Sequence, residues 1–64
     1  MSNSTQFIQQ RVLKNHDSKV LVDVYALALE LQDHCSEMTT DEIAGIIGTQ
    51  VATIKAAAVW RKPS

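Results

Sequence analysis

The sequence predicts an all-α fold, a small helix-turn-helix bundle of about four helices. Apolar residues recur at helical spacing through most of the chain, a Thr-x-x-Glu capping box opens the third segment, and Gly48 separates two helix-compatible runs. The chain has 64 residues, of which 45% are apolar. We therefore expect residues 1–64 to form a single domain, with residues 1–4 frayed.

The first predicted helix covers residues 4–15, "STQFIQQRVLKN". Ser4 or Thr5 would be its N-cap, because a hydroxyl oxygen at that position accepts a hydrogen bond from the first turn. Four residues would form its apolar side: Phe7, Ile8, Val12 and Leu13.

The second predicted helix, residues 18–35, is the longest, with Asp17 or Ser18 as its cap. One apolar stripe consists of Val20, Val24, Leu27, Leu31 and Cys35. The β-branched start also permits a strand, but the length and the Ala-, Leu- and Glu-rich second half favour a helix. The stripe is widened by Leu21, Tyr25, Ala28 and Leu29. A homodimer through helix 18–35 and burial in the chain's own core both explain that width.

A third helix is predicted to begin at a capping box formed by Thr39 and Glu42. Gly48 would end it at a C′ position with positive φ. A fourth helix, residues 50–60, would follow this turn. The residues expected to face the core are Ile43, Ala44, Ile46 and Ile47 on the third helix, and Val51, Ile54, Ala57 and Ala58 on the fourth.

Composition excludes several classes of protein. The net charge is −1, and the chain lacks the strongly basic balance of an obvious nucleic-acid binder. The charges are unevenly distributed, since every ionised side chain from residue 20 to 42 is acidic and every one from residue 43 onward is basic. A single cysteine, the lack of a signal-peptide pattern and the absence of a long apolar run predict a cytoplasmic protein.

Neither a metal site nor a catalytic site is expected. Asp33, His34 and Cys35 are consecutive and cannot all face one ion from a helix. The chain has no Gly-rich phosphate loop, and no nucleophile has a plausible base. The sequence therefore predicts a protein that is not an enzyme and needs no cofactor.

The stretch "TTDEIAGIIGTQVATIK" resembles the helix-turn-helix of LuxR-type regulators and of sigma-factor region four, and the likeness extends over residues 39–62. The matching positions are Thr39, Glu42, Ile43, Ala44, Gly48, Thr53, Ile54 and Lys55. Thr49 and Gln50 depart from the family, which usually has an apolar residue and then Ser after the turn glycine. The family's recognition helix is also more polar and basic than "VATIKAAAVW".

This resemblance implies a small sequence-specific transcriptional regulator whose helix 50–60 enters the major groove of double-stranded DNA. Gln50 would bond an adenine and Thr53 a base or a phosphate, while Ala52 and Ala56 would contact thymine methyl groups. Three cations would neutralise phosphates: Lys55, Arg61 and Lys62.

A protein-binding module is the alternative, an antiactivator or adaptor that grips a transcription factor or a polymerase subunit. The acidic body, the few cations and the smooth, Ala-rich helix 50–60 also suit a protein partner. Trp60 also has two interpretations, since it could anchor a partner or close a small core.

Overall fold

The computed structural model describes residues 3–62, which form three α-helices and two short strands. In chain order these are α1 (Ser4–Asp17), β1 (Val22–Asp23), α2 (Val24–Gln32), α3 (Thr40–Ile54) and β2 (Ala58–Val59). This mostly helical fold confirms the prediction of a helical protein. Three helices and a strand pair replace the expected four helices.

Helix α1 agrees with the first predicted helix and continues two residues beyond it. Its N-cap residue is Asn3, without a side-chain cap bond, rather than Ser4 or Thr5. Ile8 and Val12 face the core as predicted, whereas Phe7 remains 45% exposed. Of the four residues expected to fray, the first two lie outside the described part.

The segment 18–35 is not one helix, so this prediction is wrong. The chain turns after α1, becomes extended at β1, and enters α2 only at Val24. The cap is Asp23, whose carboxylate accepts from the Ala26 amide at 3.3 Å, and neither Asp17 nor Ser18 serves this role. The β-branched residues of this segment favour extended backbone, and the Asp23 cap fixes the later helix start.

Helix α3 begins as predicted and ends elsewhere. The capping box is confirmed, because Thr39 Oγ1 accepts from the Glu42 amide at 3.1 Å and Glu42 Oε1 accepts from the Thr39 amide at 2.9 Å. The helix then continues through Gly48 to Ile54, and no described glycine has a positive φ. The predicted turn at Gly48 and the separate helix 50–60 are therefore wrong. Lys55, with φ of 55°, ends the helix in the left-handed conformation.

Beyond Lys55 the chain is extended and returns to β1. Strands β1 and β2 pair in parallel, with Val22 opposite Ala58 and Asp23 opposite Val59. The Val22 amide also donates to the Ala57 carbonyl at 3.0 Å. This pairing fixes the path of the C-terminal segment, including Trp60.

The core lies where the three helices and β1 meet. Its buried residues are Ile8, Val12, Val22, Val24, Leu27, Ala28, Leu31, Cys35, Ile43, Ala44, Ile47 and Val51. Most were expected from helical spacing, but Val20, from the predicted stripe, is 52% exposed because it precedes the helix. Among residues 3–62 no helix has the length and apolar character needed to cross a membrane.

Candidate binding surfaces

The residues predicted to contact DNA lie in three separate segments of the chain. Gln50, Ala52 and Thr53 are on α3, Lys55 and Ala56 follow its end, and Arg61 and Lys62 follow β2. Residues 50–60, the predicted recognition helix, therefore do not form a separate helix. Gln50 lies in the second half of α3, so it is not at a helix start from which a side chain would reach base edges.

Thr53 is engaged within its own helix. Its hydroxyl donates to the Thr49 carbonyl at 2.8 Å, and the Thr49 hydroxyl donates to the Gly45 carbonyl at 3.0 Å. Each hydroxyl has one hydrogen to donate, so donation to a base would require breaking these bonds.

The structure instead forms an open groove of about 520 Å³ between one face of α3 and the C-terminal segment. We name it the Trp60 groove. It is lined by Tyr25, Asp41, Ala44, Gly45, Gly48, Thr49, Ala52, Trp60 and Lys62. Each α3 member has another member three or four residues away along the chain, which places their side chains on one helix face.

Trp60 forms a wall of this groove by lying on Gly48. A Cβ atom at residue 48 would be 2.7 Å from Trp60 Cη2 and 2.8 Å from Cζ3, closer than real Cβ contacts. The glycine is therefore required by this close approach and not by a turn. The indole is still 55% exposed, so it could contact a second molecule.

The floor of the Trp60 groove is smooth and offers few hydrogen-bonding groups. A Cβ built on Gly45 would meet nothing within 4 Å, and Ala52 is also exposed. The Thr49 hydroxyl is already bonded, and the charged residues of the lining are Asp41 and Lys62. The small residues were visible in the sequence, but their common face depends on a helix that continues through Gly48.

A second groove, of about 360 Å³, lies where the ends of α1 and α3 meet. It is lined by His16, Lys19, Val20, Lys55 and Ala57, and we name it the lysine groove. Sequence reasoning missed it because Lys19 and Lys55 are far apart along the chain. Both lysines have positive φ, 59° and 55°. For residues other than glycine this conformation costs about 1–2 kcal/mol, more than the roughly 0.3–1 kcal/mol by which a helix C-terminus favours a cation.

A third, smaller hollow contains the buried thiol of Cys35. It is lined by Asn3, Ser4, Phe7, His34 and Cys35. The Phe7 and His34 rings contact each other with centroids 5.6 Å apart. Within residues 3–62 no three His, Cys, Asp or Glu side chains are placed to hold a metal ion.

No protein-family model matches the chain, and comparison with curated proteins and with solved structures also gives no match. The fold defines a small three-helix protein with a parallel strand pair. Its function must therefore be argued from the two grooves and from the sequence.

Proposed function

We propose that this protein is a non-catalytic protein-binding module whose Trp60 groove docks an apolar segment of a partner protein. The observation that carries the proposal is the position of Trp60, half exposed and lying on Gly48 beside an open, mostly apolar channel. Tryptophan is among the residues that contribute most to protein interfaces when it borders a pocket that a partner can fill.

The partner segment that best fits the groove is an amphipathic helix. The groove face of α3 extends from Asp41 to Ala52, which corresponds to about 16 Å of helix. Since Gly45 and Ala52 have little or no side chain, a second helix can approach α3 closely and place larger apolar residues against Trp60. Asp41 and Lys62 favour one basic and one acidic residue beside the partner's apolar stripe.

The proposal can be tested by selecting peptides of about 12–16 residues from a random display library against the immobilised protein. We expect the enriched sequences to share apolar residues at helical spacing. Their binding should be lost in Gly45→Arg, because the arginine side chain would occupy the groove while the exposed position tolerates it sterically.

Two variants control for other effects of this substitution. Gly45→Ala gives the same increase in helix propensity without filling the groove, and Gln9→Arg adds the same charge on an exposed part of α1. Both should bind the selected peptides like the parent. Peptides that still bind Gly45→Arg would show that the Trp60 groove is not the docking surface.

Sequence-specific DNA binding is the second candidate, favoured by the sequence resemblance over residues 39–62 and by three exposed cations, Lys55, Arg61 and Lys62. With α3 unbroken, these cations could contact phosphates, but a helix 50–60 cannot read bases. Three phosphate contacts would give a salt slope of about −3. Binding of a random duplex pool with that slope, without enrichment of any peptide, would favour DNA over a protein partner.

A cytoplasmic location and a homodimer are the two other properties that we propose from the sequence. A cytoplasmic location is supported by Cys35, a buried free thiol. A homodimer through residues 18–35 has less support than the sequence suggested, because Ala28 belongs to the core and Tyr25 is half-buried. Leu21 and Leu29, each 53% exposed, are the residues of that predicted face which a second copy could cover.

A further inference from the structure

The lysine groove brings together cationic side chains from distant parts of the chain. Lys19 follows α1 and Lys55 ends α3, and His16 lies beside them on the last turn of α1. No acidic residue lines this groove in the described part of the chain. Like charges that approach one another repel, and no carboxylate of the described lining residues offsets the charges of the two lysines.

Ion pairing does not explain why Lys19 and Lys55 lie beside one groove. The ion pair found within residues 3–62 joins Arg11 to Glu30 at 2.7 Å, on the α1–α2 surface. In the same range Lys19, Lys55 and His16 have neither an ion pair nor a side-chain hydrogen bond.

Capping of the helix ends by the lysine side chains does not explain the placement of the two lysines either. At the end of α1 the carbonyls of residues 14, 15 and 16 accept from the backbone amides of residues 18, 20 and 19. At the end of α3 the Val51 carbonyl accepts from the amides of Lys55 and Ala56. These carbonyls already accept from backbone amides, and neither lysine side chain has a hydrogen bond or an ion pair among the described residues, so the ammonium groups remain available to a ligand.

The backbone conformation points the same way. Positive φ after a helix is usually adopted by glycine or asparagine, yet this chain has lysine at both such positions. Both of those lysines line one groove. Backbone geometry alone would favour glycine there, so lysine is present at both positions despite the backbone strain.

We propose that the lysine groove binds a phosphate group, with the ammonium groups of Lys19 and Lys55 and the His16 ring as donors. An oxyanion of this kind accepts several charge-assisted hydrogen bonds at once. The phosphate could belong to a free or monoesterified phosphate or to the backbone of a nucleic acid, since the groove supplies the same donors to each. This site is separate from the Trp60 groove, and the inference does not depend on protein binding there.

The test is a titration of the full chain with three probes: inorganic phosphate, phenyl phosphate and a short DNA duplex of random sequence. Binding is followed by the backbone amide signals of residues 16–20 and 55–57 in nuclear magnetic resonance spectra. Shifts with the first two probes identify a free or monoester phosphate, and shifts with the duplex alone identify a nucleic-acid backbone. If no probe moves these signals, the inference is wrong.

Substitution of each lysine by glycine separates binding from structure. Lys19→Gly and Lys55→Gly should each weaken phosphate binding by about tenfold or more, while the Tm stays at or above that of the parent because the strain is relieved. Lys14→Ala, on the exposed side of α1, should leave both the affinity for phosphate and the Tm unchanged. Parent-like phosphate binding by the two glycine variants would overturn the proposal. If a glycine variant proves poorly folded, Lys19→Asn and Lys55→Asn serve in its place, because asparagine also tolerates positive φ.

Discussion

Gly48 is the residue of α3 against which the Trp60 ring packs. Glycine in a helix interior costs about 1 kcal/mol relative to alanine. At residue 48 this cost is offset by the contact that the missing side chain permits, since the Trp60 ring occupies the space of a Cβ atom. A position that looks unfavourable from helix propensity is therefore favourable for packing.

We expect Gly48→Ala to displace the Trp60 ring. The added methyl group would lie within 2.8 Å of two ring atoms, and the exposed indole can swing away more easily than α3 can move. Tryptophan fluorescence should shift to longer wavelength and become more accessible to a soluble quencher, while far-ultraviolet circular dichroism keeps its helical signal. A loss of helical signal would mean that residue 48 needs a turn conformation.

Gly45→Ala is the matched control, one turn earlier in the same helix. Its Cβ would meet nothing within 4 Å, so the gain in helix propensity should appear undiminished. Thermal unfolding should show a stabilisation of up to about 1 kcal/mol with unchanged tryptophan fluorescence. If Gly45→Ala and Gly48→Ala behave alike, Trp60 does not lie on Gly48.

Gln50 and Lys55 distinguish the two candidate functions, because neither lines the Trp60 groove. Peptide binding should be the same in Gln50→Ala and Lys55→Ala as in the parent. If the protein binds DNA instead, Lys55→Ala should reduce the salt slope by about one. Gln50→Ala should then leave base preference unchanged, because Gln50 is not at a helix start from which a side chain reaches base edges. Parent-like DNA binding by both variants would exclude the contacts predicted for helix 50–60.

The two ends of α3 differ in how far the sequence could predict them. The capping box links Thr39 and Glu42, three residues apart, and such a local signal can be read without the rest of the molecule. The other end depends on Lys55 and on the return of the chain to β1, which involves residues more than thirty positions away. Local sequence therefore favours a turn at Gly48, because it does not show that Trp60 covers this residue.

Removal of the Thr39 side chain tests how much the capping box contributes to the stability of the protein. Thr39→Ala should destabilise the protein by about 0.5–2 kcal/mol, since the Glu42 amide would lose its acceptor. Chemical denaturation followed by circular dichroism measures this difference. Thr53→Ala, an exposed change of the same chemistry in the last turn of α3, should cost little because alanine is the better helix former. Equal losses in the two variants would show that the hydroxyl of Thr39 has no special role.

At the scale of the whole molecule, the parallel strand pair is the feature that periodicity could not predict. Each strand has two residues, too short for an alternating pattern, and their pairing joins the middle of the chain to its C-terminal region. The core was largely predictable, because residues such as Leu27, Ile43 and Ile47 repeat at helical spacing. The Trp60 groove was not, since it exists only after the strand pair has returned Trp60 to α3.

The most direct measurement is the set of nuclear Overhauser effects and backbone carbon shifts across residues 40–60 in solution. We expect uninterrupted helical shifts from Thr40 to Ile54, together with contacts between the Gly48 α-protons and the indole ring protons of Trp60. Both features must be present for the Trp60 groove to exist. A break in the helical shifts at Gly48, followed by a new helix over residues 50–60 and no contact to the indole, would contradict this structure and restore the helix–turn–helix.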